Sequence, residues 1–327
     1  MFGGLANIGG TTCALNTLVQ IIAHSNHLFN ALCESFKYNK ECEEKTLVWN
    51  ITYISEALRN SFSVTPGGLV RLLYELFPND FHPGEQMDIY ELWTLMATKI
   101  SEEVPMQQEE IINHPANITR EVSTKVSESI SKINNGTSSV WLTTIQSIQL
   151  GILKCLNTQC GATPYNVEVY TSFEVDIPFV NDTHTAYDLD KLLLKNHMME
   201  TMDMWKCDKC SHVGGMKQSQ LYTVPRVLVV VLKRFQMTTS GTFSKINTPI
   251  NISKNINITL NDVSTNYNLI GIANHYGVYG GGHYTAHVLE TNTWVCFDDA
   301  NRSIINTETH NIFSNNRDAY MLFYETI

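Results

Sequence analysis

From Ala14 onward the apolar residues Leu15, Leu18, Val19, Ile21 and Ile22 recur at the three- and four-residue intervals of a helix face. The preceding stretch, Gly3 to Thr12, is rich in glycine and threonine and reads as a loop. A loop therefore becomes a helix at Cys13. The helical period continues through the first hundred residues. Leu47, Val48, Ile51, Ile54 and Leu58 form one stripe, and Leu69, Leu72, Leu73 and Leu76 form another, opened by Pro66-Gly67-Gly68 and ended before Pro78. Leu92, Leu95 and Met96 mark a further helix from about Met87 to Ile100. Residues Ser101 to Ser139 are polar and turn-rich, with Pro105, Pro115 and Asn134-Asn135-Gly136, and read as an inserted excursion.

From Ser139 the pattern shortens. Val140 to Leu153, Val167 to Ile177, Gln218 to Phe235, Tyr267 to Ala273, Tyr284 to Leu289, Thr293 to Phe297 and Tyr320 to Tyr324 are rich in β-branched and aromatic residues and predict strands. Leu189 to Met198 reads as a helix among them. A helical half followed by a strand-rich half predicts an α+β fold with segregated layers.

Composition narrows the partners. The chain has 327 residues, 43% of them apolar and 17% charged, enough to bury the core of one large or two ordinary domains. A formal charge of −10 without a dense Lys/Arg run argues against nucleic acid or an anionic membrane, and suits a neutral or basic protein partner. No basic segment followed by an apolar run opens the chain, and no apolar stretch approaches a membrane span, so an intracellular protein, cytoplasmic or nuclear, is expected. Sequons such as Asn117 with Thr119 and Asn257 with Thr259 then read as ordinary asparagines. In that compartment the eight cysteines are expected to be ligands, nucleophiles or core residues rather than disulfides.

A helix N-terminus offers unpaired N–H groups and partial positive charge, which stabilise a thiolate and lower a cysteine's pKa, so Cys13 is a candidate nucleophile. The competing reading is a small buried side chain. A base is found downstream in GVYGGGHYTAHVLETNTWVCFDDA. Gly280, Gly281 and Gly282 read as a mobile approach to His283, and Glu290 to Thr293 as a hairpin turn that brings Asp298 and Asp299 back beside it. Such a hairpin gives a Cys–His–Asp arrangement its parts: a nucleophile, a proton shuttle and a carboxylate that fixes the imidazole. His275 and His287 compete for the same role. Cys155 with Cys160, and Cys207 with Cys210, form two close pairs that can meet as a four-thiolate zinc site, structural because no ligand position stays open. Cys13, Cys33, Cys42 and Cys296 stand alone. No His-Glu-x-x-His motif is present, which disfavours a metalloprotease.

Several blocks resemble the ubiquitin-specific protease family, in order over almost the whole chain. GLANIGGTTCALNTLVQ is similar to its cysteine box, GLxNxGNTCYxNSxLQ. YNLIGIANHYGVYGGGHYTAHV and WVCFDDA are similar to its histidine box, PGEQMDIYELW to its QQDAxEF helix motif, and VPRVLVVVLKRF to the strand carrying its LKRF signature. Lys245-Ile246 and AYMLFYE are similar to later landmarks. The resemblance implies a papain-like cysteine peptidase with a helical thumb (residues 1–130), β-rich zinc-ribbon fingers with part of the palm (140–225) and a β-sheet palm (226–327) in one catalytic domain. It implies Cys13 as nucleophile, His283 as general base and acid, Asp298 as orienting carboxylate, Asp299 as an assisting residue and Asn7 in the oxyanion hole. Gln86 and Asp88 would line the channel for the arginine-containing tail of ubiquitin, and Cys155, Cys160, Cys207 and Cys210 would hold structural zinc. The expected activity is thiol-dependent hydrolysis after the C-terminal glycine of ubiquitin by a monomer. A ubiquitin-like modifier as substrate, or an inactive ubiquitin-binding module, are the alternatives. The chain departs from the pattern at Asn7, which stands six rather than five residues before the nucleophile, and at Ala14, where an aromatic is usual.

Overall fold

The computed structural model describes residues 1–38, 45–105, 112, 114–115, 118–134, 138–179, 185–195, 199–237, 241–260 and 262–327. The helical half comprises α1 (Cys13–His24), α2 (Asn26–Tyr38), α3 (Leu47–Arg59), α4 (Gly67–Leu76), α5 (Ile89–Glu103), α6 (Arg120–Ile133) and α7 (Val140–Ile145). Side-chain caps set several starts: Thr46 accepts from Trp49 N–H, Asp88 from Tyr90 and Glu91 N–H, Thr119 from Val122 N–H and Ser139 from Leu142 N–H. Every residue of α1 is buried, so it is the central helix, packed on one side by α3 and α5 and on the other by the main sheet.

The strand-rich half runs β1 (Ser147–Cys155), β2 (Tyr165–Tyr170), β3 (Phe173–Asp176), β4 (Tyr187–Asp188), α8 (Leu189–Lys195), β5 (Glu200–Lys206), β6 (Val213–Thr223), β7 (Val227–Lys233), β8 (Phe235–Met237), β9 (Phe243–Lys245), β10 (Ile250–Asn251), β11 (Asn255–Leu260), β12 (Val263–Val278), β13 (Gly281–Glu290), β14 (Thr293–Asp298), β15 (Asn301–Ile304) and β16 (Ala319–Thr326). The main sheet has the order β15-β14-β13-β12-β16-β7-β3, with β11 also on β12, and a separate sheet has the order β2-β1-β6-β5. One face of the main sheet packs on α1, α3, α5 and α7, with Trp93 edge-on to Phe323 at 5.6 Å. A second core lies on its other face, under α8 and residues 312–313.

The α+β architecture agrees with the pattern of the chain, and four local expectations are corrected. The polar excursion contains α6, whose Val122, Val126 and Ile130 pack on the four-stranded sheet. Val140–Leu153 is not one strand: its first six residues form α7, capped by Ser139, which carries Trp141 into the main core. Val167–Ile177 and Gln218–Phe235 each break into strands of different sheets, at residues 171–172 and 224–226. The glycines before His283 are not one loop: Gly281 and Gly282 open β13, and the turn falls at Tyr279-Gly280, where Gly280 has φ +76°. The predicted helix 189–198 is seen as far as Lys195, and residues 196–198, like Cys42, Asn117 and Asn135-Gly136, lie outside the described residues. Among the described residues no helix is long and apolar enough to cross a membrane.

Candidate active site

Cys13 is the first residue of α1 and is only 2% exposed. Burial pushes its thiol above the ordinary value and the negative charge of Asp299 adds to this, while backbone N–H groups of Tyr284, Ala14 and Cys13 itself pull it back. The lowering expected of a helix N-terminus is thus present, but desolvation outweighs it. The free protein therefore holds Cys13 as a neutral thiol, which needs a base to become a nucleophile.

The candidate for that base lies on the β13–β14 hairpin. Glu290 pairs with Thr293 across the turn, with Thr291 left-handed at φ +57°, and the register runs on to Ala286 opposite Phe297. One step further Asp298 reaches back beside the start of β13, and its Oδ1 lies 2.6 Å from His283 Nε2. An ionised Asp298 accepts the Nε2 proton, which leaves Nδ1 of His283 as the nitrogen free to take a proton. His275 and His287 do not match this setting. His275 is buried and His287 partly buried, and desolvation lowers each to about 4, so they are neutral at physiological pH. His275 sits in a ring cluster with Tyr284 and Phe235, and His287 pairs across strands with Ile272 and Cys296.

The loop before Cys13 accommodates its additional residue in a turn. Gly9 and Gly10 are both left-handed, at φ +62° and +74°, and Thr11 N–H donates to Ile8 O. Asn7 is thereby held on both sides: its Oδ1 accepts from Thr12 N–H at 3.0 Å and its Nδ2 donates to Asp299 Oδ2 at 2.8 Å. Asp299, itself at φ +53°, takes a second amide, Asn16 Nδ2, on Oδ1 at 2.7 Å. His283, Asp298 and Asp299 bring ligand atoms within 4.8 Å of one another. The structure thus joins Asn7 to Asp299 and His283 to Asp298, and adds Asn16 and the Tyr284 backbone. Asn16 carries a signal in the sequence as a polar residue one turn into a mainly apolar helix; it is 2% exposed. The Tyr284 contribution is a main-chain group and leaves no mark in a sequence.

Gln86 and Asp88 sit just before α5. Gln86 exchanges two hydrogen bonds with the Gly282 backbone, donating Nε2 to Gly282 O at 2.8 Å and accepting from Gly282 N–H at 2.9 Å. Asp88 caps α5 and also accepts from Tyr284 Oη at 3.3 Å. Beside them opens a cleft of about 490 Å³ lined by Asp88, Tyr90, Glu91, Phe235, Tyr279 and Tyr320. Burial and the neighbouring Asp88 raise the Glu91 carboxyl, so the cleft wall is acidic and crowded.

The cysteine pairs meet at the tip of the four-stranded sheet. Cys155 ends β1, Cys160 follows it in a turn, and Cys207 and Cys210 lie in the turn between β5 and β6. Sγ–Sγ distances are 3.7 Å for Cys155–Cys210 and 3.8 Å for Cys160–Cys207. A tetrahedral ion with Zn–S bonds of about 2.3 Å has sulfurs roughly 3.8 Å apart, whereas a disulfide brings them to about 2.0 Å. The donor set and spacing therefore fit a four-thiolate zinc site. Cys33 and Cys296 are half-buried single thiols.

A helix that begins at a thiol, laid over a sheet whose hairpin presents a His–Asp pair, with a β-rich extension and a helical layer, defines a papain-like cysteine peptidase fold of thumb, fingers and palm. The chain belongs to the ubiquitin carboxyl-terminal hydrolase (UCH) family, whose model matches residues 3–324. It is 29% identical over 181 residues to a probable ubiquitin carboxyl-terminal hydrolase of Acanthamoeba polyphaga mimivirus, covering 52% of this chain and 38% of that protein. It is 37% identical over 135 residues to ubiquitin carboxyl-terminal hydrolase 9 of Arabidopsis thaliana, covering 38% of this chain and 14% of that one. These matches span well under half of either relative. Among solved structures, a chain of the SAGA DUB module Ubp8/Sgf11/Sus1/Sgf73 bound to ubiquitin aldehyde superposes with a TM-score of 0.75 at 18% identity, covering 99% of this chain and 69% of that one. The monoubiquitin-bound form of the module gives 0.75 at 19%. The fold is shared.

Proposed function

We propose that the chain is a thiol-dependent hydrolase that cleaves the isopeptide or peptide bond after the C-terminal glycine of ubiquitin. The observation that carries this reading is Cys13 at the start of α1, its sulfur against the backbone of β13, the strand that holds the His283–Asp298 pair. In this mechanism Nδ1 of His283 takes the thiol proton as Sγ attacks the glycine carbonyl, and Asp298 holds Nε2 and stabilises the imidazolium. The oxyanion is met by the Cys13 backbone N–H and by the second Nδ2 proton of Asn7, the first being fixed on Asp299. His283 then returns the proton to the leaving amine, and water releases the thioester through the same imidazole. Asp299 assists by anchoring Asn7 and Asn16.

The substrate's globular body would rest on palm and fingers, with its tail in the cleft beside Asp88 and Glu91, whose acidity suits an arginine-containing strand. Zinc held by Cys155, Cys160, Cys207 and Cys210 would tie the β1 and β5–β6 turns together without entering the reaction. The whole chain would act as one domain and a monomer, in the cytoplasm or nucleus, with thumb, fingers and palm near 1–130, 140–225 and 226–327. Within that division α6 sits on the finger sheet. The test is labelling by an electrophilic ubiquitin probe: the wild type should react and Cys13→Ser should not. Labelling only by a probe built on a ubiquitin-like modifier, or ubiquitin binding without labelling, would overturn the proposal.

A further inference from the structure

The side chain of Gln86 does something other than wait for a substrate. Both ends of its amide are spent on one residue, Gly282, immediately before His283. At this point β13 is paired on one side only among the described residues. Toward β12 it matches Gly282 with Gly277 and His283 with Tyr276, but toward β14 its ladder starts at Ala286 with Phe297. The Gly282 N–H and C=O that point away from β12 have no strand to meet, and the Gln86 amide supplies the donor and the acceptor that a neighbouring strand would. The site is also closed from the other side, since a Cβ at Gly282 would collide with the Tyr276 carbonyl oxygen and the His275 ring. Two residues along the same loop, Asp88 accepts from the hydroxyl of Tyr284, whose backbone N–H faces the Cys13 sulfur. The segment before α5 therefore grips β13 on both flanks of His283.

We propose that Gln86 is a positioning residue for His283, acting as a one-residue strand edge that fixes the backbone from which the imidazole projects. This rests on the proposed hydrolase reading for its kinetic consequence, but the clamp itself does not depend on what the substrate is. The second Nε2 proton and the second Oε1 lone pair of Gln86 stay open, so a contact with the ubiquitin tail, the role implied by resemblance, can coexist with the clamp.

The experiment has two independent arms. In the free protein, amide hydrogen exchange at Gly282 should quicken by about tenfold or more in Gln86→Ala, the scale expected when a pair of ordinary hydrogen bonds is removed. Equal exchange in the two proteins would overturn the clamp whatever the enzyme's substrate. With a fluorogenic ubiquitin substrate, Gln86→Ala should lower kcat about tenfold and leave KM within about twofold, and Gln86→Glu, which keeps only the acceptor, should fall between. Ubiquitin should bind Cys13→Ala and the Cys13→Ala/Gln86→Ala double variant equally well. A raised KM with unchanged kcat, together with weaker ubiquitin binding by the double variant, would show that Gln86 holds the tail and overturn the proposal. A wild type that turns over no ubiquitin substrate would defeat the functional reading alone, and the exchange arm would still decide the clamp.

Discussion

Arg234 is a fully buried cation with no carboxylate in hydrogen-bond contact among the described residues, and its replacement offers a sharp test of how the palm is held together. The side chain is 0% exposed and gives its protons to four main-chain carbonyls: Ala319 at 2.5 Å, Ile246 and Thr248 at 3.0 Å, and Asn316 at 3.1 Å. Burial pushes the guanidinium down to about 10, with Asp318 only partly restoring it. Against an ordinary value of 12.5, that displacement amounts to about 3 kcal/mol spent on keeping the ion out of water. Arg234→Met removes this cost but strands the carbonyls of Ala319, Ile246 and Thr248, each worth about 1–3 kcal/mol when buried and unpaired, while Asn316 O keeps its bond from Ile250 N–H at 2.8 Å. Three stranded carbonyls at about 2 kcal/mol each outweigh the ion, and the net loss should be on the order of 3 kcal/mol, a large share of a typical domain's stability. Arg234→Lys, with three donors and no fork, should lose roughly half as much. Urea unfolding followed by tryptophan fluorescence would read this as a lower midpoint at constant slope. A loss below about 1 kcal/mol for Arg234→Met would refute the reasoning and show that the carbonyls find other donors.

Other consequences can be measured as directly. Metal analysis of the purified protein should find about one zinc per chain, fitting the four-thiolate geometry, and Cys207→Ser should abolish it and lower the melting temperature; a metal-free wild type that melts unchanged after chelation would refute the site. Asn7→Ala should reduce kcat by about 10²-fold with little effect on KM, whereas a loss under about threefold would place the oxyanion on backbone N–H groups alone. His275 and His287 bind protons less readily folded than unfolded, so stability should be full above pH 6.5 and fall as pH drops from there toward about 4. Burial alone would raise Glu290, but His24 and Arg302 bring it down to about 2, so its contribution, complete above the ordinary carboxyl range, is lost between about pH 4.5 and 2. Stability curves of His287→Asn and Glu290→Gln should each flatten in their own window, and unchanged curves would count against these assignments.

What the sequence made legible was whatever rests on local pattern. The loop-to-helix change at Cys13, the hairpin returning Asp298 to His283 and the paired cysteines all follow from residue spacing within a few turns or strands. The parts that escaped depend on tertiary context. Helix α6 was hidden because its sequence is mostly polar, and the stripe of Val122, Val126 and Ile130 that it packs inward meets a sheet built in part from residues far along the chain. Helix α7 was read as a strand because Val140, Trp141 and Ile145 favour strands, until Ser139 caps them. The thiol of Cys13 went the opposite way from expectation because dehydration is a property of the assembled core, not of the helix end.

The order of strands in the main sheet has a further implication. The two strands that continue from the four-stranded sheet, β3 and β7, occupy one margin, while β13 and β14 with His283 and Asp298 lie toward the opposite one. From β7 to β13 the path crosses β16 and β12, three spacings of about 4.8 Å, or roughly 14 Å of continuous hydrogen-bonded backbone. A change of length or sequence in the four-stranded sheet therefore enters the main sheet at the far rim from His283 and Asp298, like a handle fixed to the opposite edge of a plate.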